Sequence, residues 1–407
     1  MSSLLPNGSC TTPLGFRASG VWCGLRKNGE PDVAMIESPT PCTAAGVFTR
    51  NRVVAAPVWV CRETLAHNNS HLRGVIINAR NANACTGELG LQNARRMQAL
   101  AAAQVSAHPT EFLVMSTGVI GLQMDMPKIE SGIISAGESL SAESGLIAAK
   151  AIMTTDTHPK HGAICLQLSG GRVTIGGMCK GAGMIHPNMA TMLSVLTTDA
   201  ELAPEKIHSL LTTAVNASFN RVSVDGDTST NDSLVLLANG ASGVGLATAD
   251  DEALFAQALQ NLCLYLAKQI ARDGEGATKL VSIQVFGAPS DSDAHQIANT
   301  IATSPLVKTA FAGSDPNWGR ILAAAGRAGV AFEQSHANLF CNLPGQPALQ
   351  LLAAGTPTDY LEASAAAIFA QSEFEITLQL GAGNGSATVY TCDLSADYVR
   401  INADYRT

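Results

Sequence analysis

The chain has little of four things: charge, aromatic side chains, closely spaced cysteines and long apolar runs. Only 14% of its 407 residues are charged and only 5% are aromatic. Its 25 basic residues are outnumbered by 33 acidic ones, giving a formal charge of −8, so no basic surface favours a nucleic acid. Small molecules are the expected partners, with neither nucleic acid nor membrane among them. No stretch approaches the ~20 apolar residues that span a bilayer, and the start, Met1 to Pro6, lacks a cationic segment leading into an apolar one. Ten cysteines are scattered from Cys10 to Cys392 without a Cys-x-x-Cys pair. That pattern suits buried reduced thiols better than a disulfide frame or zinc site, and a cytoplasmic location is the expectation.

What the chain does have is small and apolar. Hydrophobic residues make up 46%, with 37 glycines, which argues against disorder and for tight packing. The length allows a sizeable core and more than one layer or lobe. Val75-Ile76-Ile77 and Phe112-Leu113-Val114-Met115 are patterned as short buried strands. Pro204 opens a helix with Ile207, Leu210, Leu211 and Val215 on one face. Residues Ala163–Leu168 and Arg172–Ile175 fit a hairpin around Gly170-Gly171. Strands interspersed with helices imply a layered α/β fold.

The most informative stretch runs from Gly176 to Leu193, where a glycine-dense loop carrying Lys180, His186 and Pro187 leads into the apolar run Met192–Leu196. Glycines of this density permit the left-handed backbone and close approach that a strained peptide needs. Thr191 stands between loop and strand. Its hydroxyl is placed to attack the carbonyl of Ala190, and hydrolysis of the resulting ester would free an α-amine. Such an amine, with a pKa of ~7.7–8.0, serves as base for its own hydroxyl near neutrality. On local pattern alone, a plain glycine-rich loop with Thr191 capping a core strand is the better reading, since one such loop is weak evidence.

From Lys180 to Leu193 the sequence meets in full the pattern Lys-Gly-x-Gly-Met-Ile-x-Pro-Asn-Met-Ala-Thr-Met-Leu. It thereby resembles the ornithine acetyltransferases, the bifunctional glutamate N-acetyltransferase family of arginine biosynthesis. Further similar blocks are Asn81–Gly87, Ser116–Gly121, Asp225–Asp232, Asp273–Lys279, Asp315–Arg320 and Ile401–Thr407. The resemblance implies an α-β-β-α sandwich of the self-processing N-terminal-nucleophile type with a smaller second lobe. It implies cleavage between Ala190 and Thr191 into chains 1–190 and 191–407 that share one core, with two copies of each in a heterotetramer. Thr191 would be the nucleophile, Thr117 and Gly118 the oxyanion donors. Thr154, Lys180, Thr191, Glu275, Asn402 and Thr407 would hold substrate. The implied reaction moves acetyl from N2-acetylornithine to glutamate, releasing ornithine, with no metal or cofactor; acetyl-CoA would be a co-substrate if the enzyme is bifunctional. Rival readings are a self-processing aminopeptidase or amidase, a paralogue with another acyl acceptor, and a non-catalytic paralogue.

Three details complete the reading. An EF-hand loop starting at Asp225 would need Gly sixth and Glu twelfth, but Thr230 and Leu236 stand there, so that segment reads as a polar turn near the active site or as plain structural hydrogen bonding. His158 and His161 lack a zinc motif and read as surface residues. Arg80 replaces a glycine usual in similar sequences; if φ is positive there, it costs on the order of 1 kcal/mol or more.

Overall fold

A computed structural model describes residues 3–186, 192–381 and 383–404 of the chain. In chain order the first lobe holds β1 (Ser3–Leu5), β2 (Arg17–Val21), β3 (Val33–Phe48), α1 (Ala56–His67), β4 (Leu72–Asn78), α2 (Gly87–Gln104), β5 (Phe112–Ser116), α3 (Met126–Glu138) and α4 (Gly145–Ala151). The expected hairpin is β6 (Lys160–Leu168) with β7 (Gly171–Lys180), antiparallel with Leu168 opposite Gly171. Next come β8 (Leu193–Thr198), α5 (Pro204–Asn216), β9 (Val222–Ser223), β10 (Ser233–Ala238) and α6 (Ala249–Arg272). Pro204 does open α5, and Ile207, Leu210, Leu211 and Val215 are buried on its inner face, as a 3.6-residue period requires.

Nine described strands form the first sheet, ordered β1-β6-β7-β8-β10-β3-β4-β5, with β2 also on β3. The long β3 serves two halves. Val33–Glu37 pairs with β2 and β4, the register breaks between Glu37 and Cys42, and Thr43–Phe48 pairs with β10. Strand alternation shows the layers. Leu234 and Leu236 of β10 join a core with Leu211 of α5 and Leu266 of α6, whereas Val235 and Leu237 join Ile36 and Val75 of the other half. Met97 of α2 and Ile133 of α3 close that second core. Helix, sheet, sheet, helix is therefore the order, as expected.

The smaller lobe follows: β11 (Leu280–Ala288), α7 (Asp291–Ala302), α8 (Pro305–Ala312), α9 (Trp318–Gly326), β12 (Asn338–Asn342), β13 (Leu349–Ala353), β14 (Thr356–Pro357), α10 (Glu362–Phe369), β15 (Glu373–Gln379) and β16 (Gly385–Cys392). It has its own core, in which Phe369 stacks on Phe374 with ring centroids 4.7 Å apart. Its sheet runs β14-β13-β12-β15-β11-β16-β9, so β9 stitches it to the first lobe. Last comes α11 (Ala396–Ala403).

All ten cysteines are free, eight of them buried. Among the described residues no helix is long and apolar enough to cross a membrane, and no cluster of metal ligands occurs. Of the two histidines read as surface residues, one needs correction. His158 keeps a side chain 44% exposed, 3.2 Å from Asp273, so the correction falls on His161, which is half-buried 2.7 Å from the Gly8 carbonyl because β6 is flanked by the amino-terminal segment.

Candidate active site

The turn after β5 is built from glycine and borrowed amides. Gly118 has φ +138°, and a Cβ there would lie 2.1 Å from the Arg80 carbonyl carbon, so only glycine fits. Ser116 donates its hydroxyl to Asn78 Oδ1 at 2.6 Å. Asn231 Nδ2 donates to the carbonyls of Ala82 (2.6 Å) and Ser116 (2.8 Å), clamping the turn to the start of β10. The Thr117 N–H is used up on the Asn78 carbonyl, 3.0 Å away. The Thr117 hydroxyl and the Gly118 N–H, by contrast, have no partner among the described residues, and both residues line a cavity of about 130 Å³.

Lys180, at the end of β7, forms another wall and is 4% exposed. Burial pushes its ammonium below the usual lysine range, against the pull of the Asp156 carboxylate. Asp156 is the hub beneath it. Its Oδ1 accepts the Lys160 ammonium at 2.6 Å and the Gly181 N–H at 2.7 Å, while Oδ2 accepts the Thr154 N–H at 2.9 Å. Burial opposes its charge, but the Lys160 and Lys180 ammoniums outweigh that and hold its carboxyl well below the ordinary range. Lys160, wholly buried, is shared with Asp273. One carboxylate thus fixes Thr154 and the backbone just after Lys180.

Glu275 comes from the loop after α6. Its N–H donates to the Ala182 carbonyl at 2.8 Å, and its carboxylate lies so close over Gly183 that a Cβ there would meet it at 2.4 Å. Asn402 Nδ2 donates to Glu275 Oε2 at 2.8 Å. This contact exists because α11 folds back: Ser395 donates to the Gly276 carbonyl at 2.6 Å, and Tyr398 to Asp225 at 3.3 Å.

Of the residues singled out in the sequence, Thr117, Gly118, Thr154, Lys180, Glu275 and Asn402 line this one cavity. Ala190, Thr191 and Thr407 lie outside the described residues. The chain is picked up again at Met192, whose N–H donates to Asp232 Oδ1 at 3.0 Å. Asp232 is wholly buried and its Oδ2 has no partner among the described residues. Burial pushes its pKa far above the carboxylate range, opposed by the Met192 N–H and the Lys180 charge.

The Asp225–Asp232 segment is indeed a polar turn at the site, although sequence reasoning gave its residues no individual roles. Ser229, Thr230 and Asn231 line the cavity, and Asp225 accepts the N–H groups of Met184 (2.6 Å) and Ile185 (2.9 Å). Their signal was a run of small polar residues running straight into the apolar β10. Asp156 and Lys160 were also missed, although an acid and a lysine four apart at the mouth of a buried strand can be read. Arg80 has φ +74°, the strained conformation anticipated for it.

A family profile described as the ArgJ family matches residues 17–407. The "arginine biosynthesis bifunctional protein ArgJ" of Symbiobacterium thermophilum is 46% identical over 405 residues, covering 98% of this chain and 99% of its own. The mitochondrial protein of the same name from Heterostelium pallidum is 43% identical over 411 residues, covering 97% and 94%. A solved ArgJ structure from Bacillus halodurans is 42% identical, with a TM-score of 0.47, over 51% of this chain and 97% of that one.

Proposed function

The chain belongs to the ArgJ family, and from that premise we propose that it carries acetyl from N2-acetylornithine to glutamate on Thr191, after the Ala190–Thr191 bond has broken. It is an acetyl-transferring enzyme of arginine biosynthesis. In the self-cleavage, the Thr191 hydroxyl adds to the Ala190 carbonyl, the peptide nitrogen leaves as an amine, and water hydrolyses the ester. Chains 1–190 and 191–407 result, and Thr191 gains a free α-amine as its base.

In turnover, Thr191 Oγ adds to the acetyl carbonyl while its proton passes to that α-amine. The Thr117 hydroxyl and Gly118 N–H face the oxyanion; one such donor is worth ~3–4 kcal/mol. Collapse expels the α-nitrogen of ornithine, which takes the proton back. Glutamate's amine then attacks the acetyl ester and Thr191 leaves. Lys180 suits the α-carboxylate common to both substrates; Glu275, steadied by Asn402, suits the cationic end of ornithine. Thr154 and Thr407 complete the substrate contacts. Retention of acetyl as an ester makes a cofactor unnecessary. Two pairs of chains form a heterotetramer in the cytoplasm.

The observation that carries this reading is a pair of donors without partners among the described residues, on residues that line the same small cavity as a buried lysine and a carboxylate. The test is to quench the enzyme during turnover with isotopically labelled N2-acetylornithine and map its peptides. Label on Thr191 is expected; turnover with no labelled Thr191 rejects the scheme. A second reading adds acetyl-CoA as donor. It is favoured by a cavity of about 450 Å³ that adjoins the active site at Thr154 and is lined by Arg26, Lys27 and Arg80, with no carboxylate among its described lining residues. Glutamate acetylation from acetyl-CoA without acetylornithine tests it.

A further inference from the structure

A separate cavity, of about 590 Å³, shares no described lining residue with the active site. It lies where the two lobes meet. Arg221 ends the 3-10 turn Phe219–Arg221 that follows α5, His295 and Asn299 belong to α7 of the smaller lobe, and Arg50 comes just after β3. His186, which has no role in the acetyl transfer, is here as well. Its Nδ1 is 3.2 Å from the Ser223 hydroxyl on β9, the strand that stitches the lobes together.

Arg221 is fixed by the fold. Its Nε donates to the Asn216 carbonyl at 3.0 Å, and one terminal nitrogen donates to His295 Nδ1 at 3.1 Å. A guanidinium can only donate, so His295 accepts there and is neutral, with its proton on Nε2. Burial and the positive charges of Arg221 and His186 push the His295 pKa down to about 4. Two arginines and two histidines thus surround a single carboxylate among the described lining residues, in a chain whose formal charge is −8. That carboxylate is half spent, because Asp291 Oδ1 accepts the Ser386 N–H at 2.8 Å. Its other oxygen can only accept, as can the buried Asn299 Oδ1, which has no partner among the described residues.

A ligand suited to this lining offers negative oxygens to the guanidiniums and a proton to the acceptors. Hydrogen phosphate has both. Sulfate has lost its protons at neutral pH, and a phosphomonoester, with a second pKa of ~6, has mostly lost its own. We infer that this junction is a binding site for free inorganic phosphate, with Arg221 and Arg50 on its charged oxygens and Asp291 accepting its hydroxyl. The forked N–H pairs of guanidinium groups match such an anion in geometry as well as charge. Binding needs neither Thr191 nor chain cleavage. It ties α7 of the smaller lobe to the end of α5, so phosphate should raise the melting temperature.

The test is calorimetric titration of sodium phosphate, and separately of sodium sulfate, into the intact protein, Arg221→Gln and Asp291→Asn, with thermal melts as folding controls. In the parent, phosphate should bind about tenfold or more tightly than sulfate, and Arg221→Gln should lose phosphate affinity by a similar factor. Asp291→Asn keeps an oxygen for the Ser386 N–H but removes the negative charge. Sulfate affinity should therefore rise in it and the preference for phosphate collapse, a gain of binding that misfolding cannot imitate. No phosphate binding to the parent at millimolar concentration, equal affinity for the two anions, or a preference unchanged in Asp291→Asn would each overturn the assignment. Undiminished phosphate binding in folded Arg221→Gln would place the anion elsewhere and overturn it too.

Discussion

Lys180 shows how one residue's environment sets its chemistry. A buried ammonium is costly unless it is paired, and this one has Asp156 beneath it and a cavity in front. If it binds the substrate carboxylate, it must do so protonated. Because its pKa is lowered, protonation is lost as pH rises, and lost earlier than for an ordinary lysine at ~10.4. The KM for N2-acetylornithine should therefore climb with pH at values below that. In Lys180→Arg the guanidinium stays charged, so the alkaline rise should vanish whatever happens to the rate. A rise of KM that persists unchanged in Lys180→Arg would remove Lys180 from carboxylate binding.

At the scale of elements, Asp156 ties the segment before β6 to the end of β7 by way of Lys160 and Gly181. Removing one partner of a buried ion pair strands the other and costs ~3–5 kcal/mol. Asp156→Asn should lose stability of that order in urea unfolding at neutral pH. The Asp156 pKa is depressed in the fold, so its contribution is present above the unfolded value of ~3.9 and is lost as pH falls toward the folded one. The variant's deficit should accordingly shrink on acidification; a deficit that is constant or grows would show that the charge is not its cause. The same elements show what a sequence discloses. The β6–β7 hairpin and α5 were legible because their determinants are local: a turn between matched strands, a proline followed by helical spacing. The Asp156–Lys160–Asp273 network was not, since Asp273 lies 113 residues beyond Lys160 and only packing brings them together. The Thr228–Asp232 run carried no period that would single out a wall of the cavity. The fold-back of α11 onto Glu275 was inferable only through the resemblance, as nothing local in Ser395–Asn402 points to a partner 127 residues away.

For the whole molecule, the position of Thr191 between β7 and β8 is decisive. Lys180 pairs with Leu193 across adjacent antiparallel strands, and β8 runs parallel to β10 with Leu193 opposite Ser233. A break after Ala190 would thus cut the chain inside one sheet, leaving both pieces bound by its ladder and buried faces. The layered α/β order was readable from alternating elements, whereas the doubling of β3 into two half-sheets depends on a register break that no sequence period announces. The most direct test is intact-mass measurement, under denaturing conditions, of enzyme that has just been shown to transfer acetyl. Two polypeptides are predicted, 1–190 and 191–407, with a single inactive chain for Thr191→Ala; one unbroken chain in the active preparation would contradict Thr191 as an amino-terminal nucleophile.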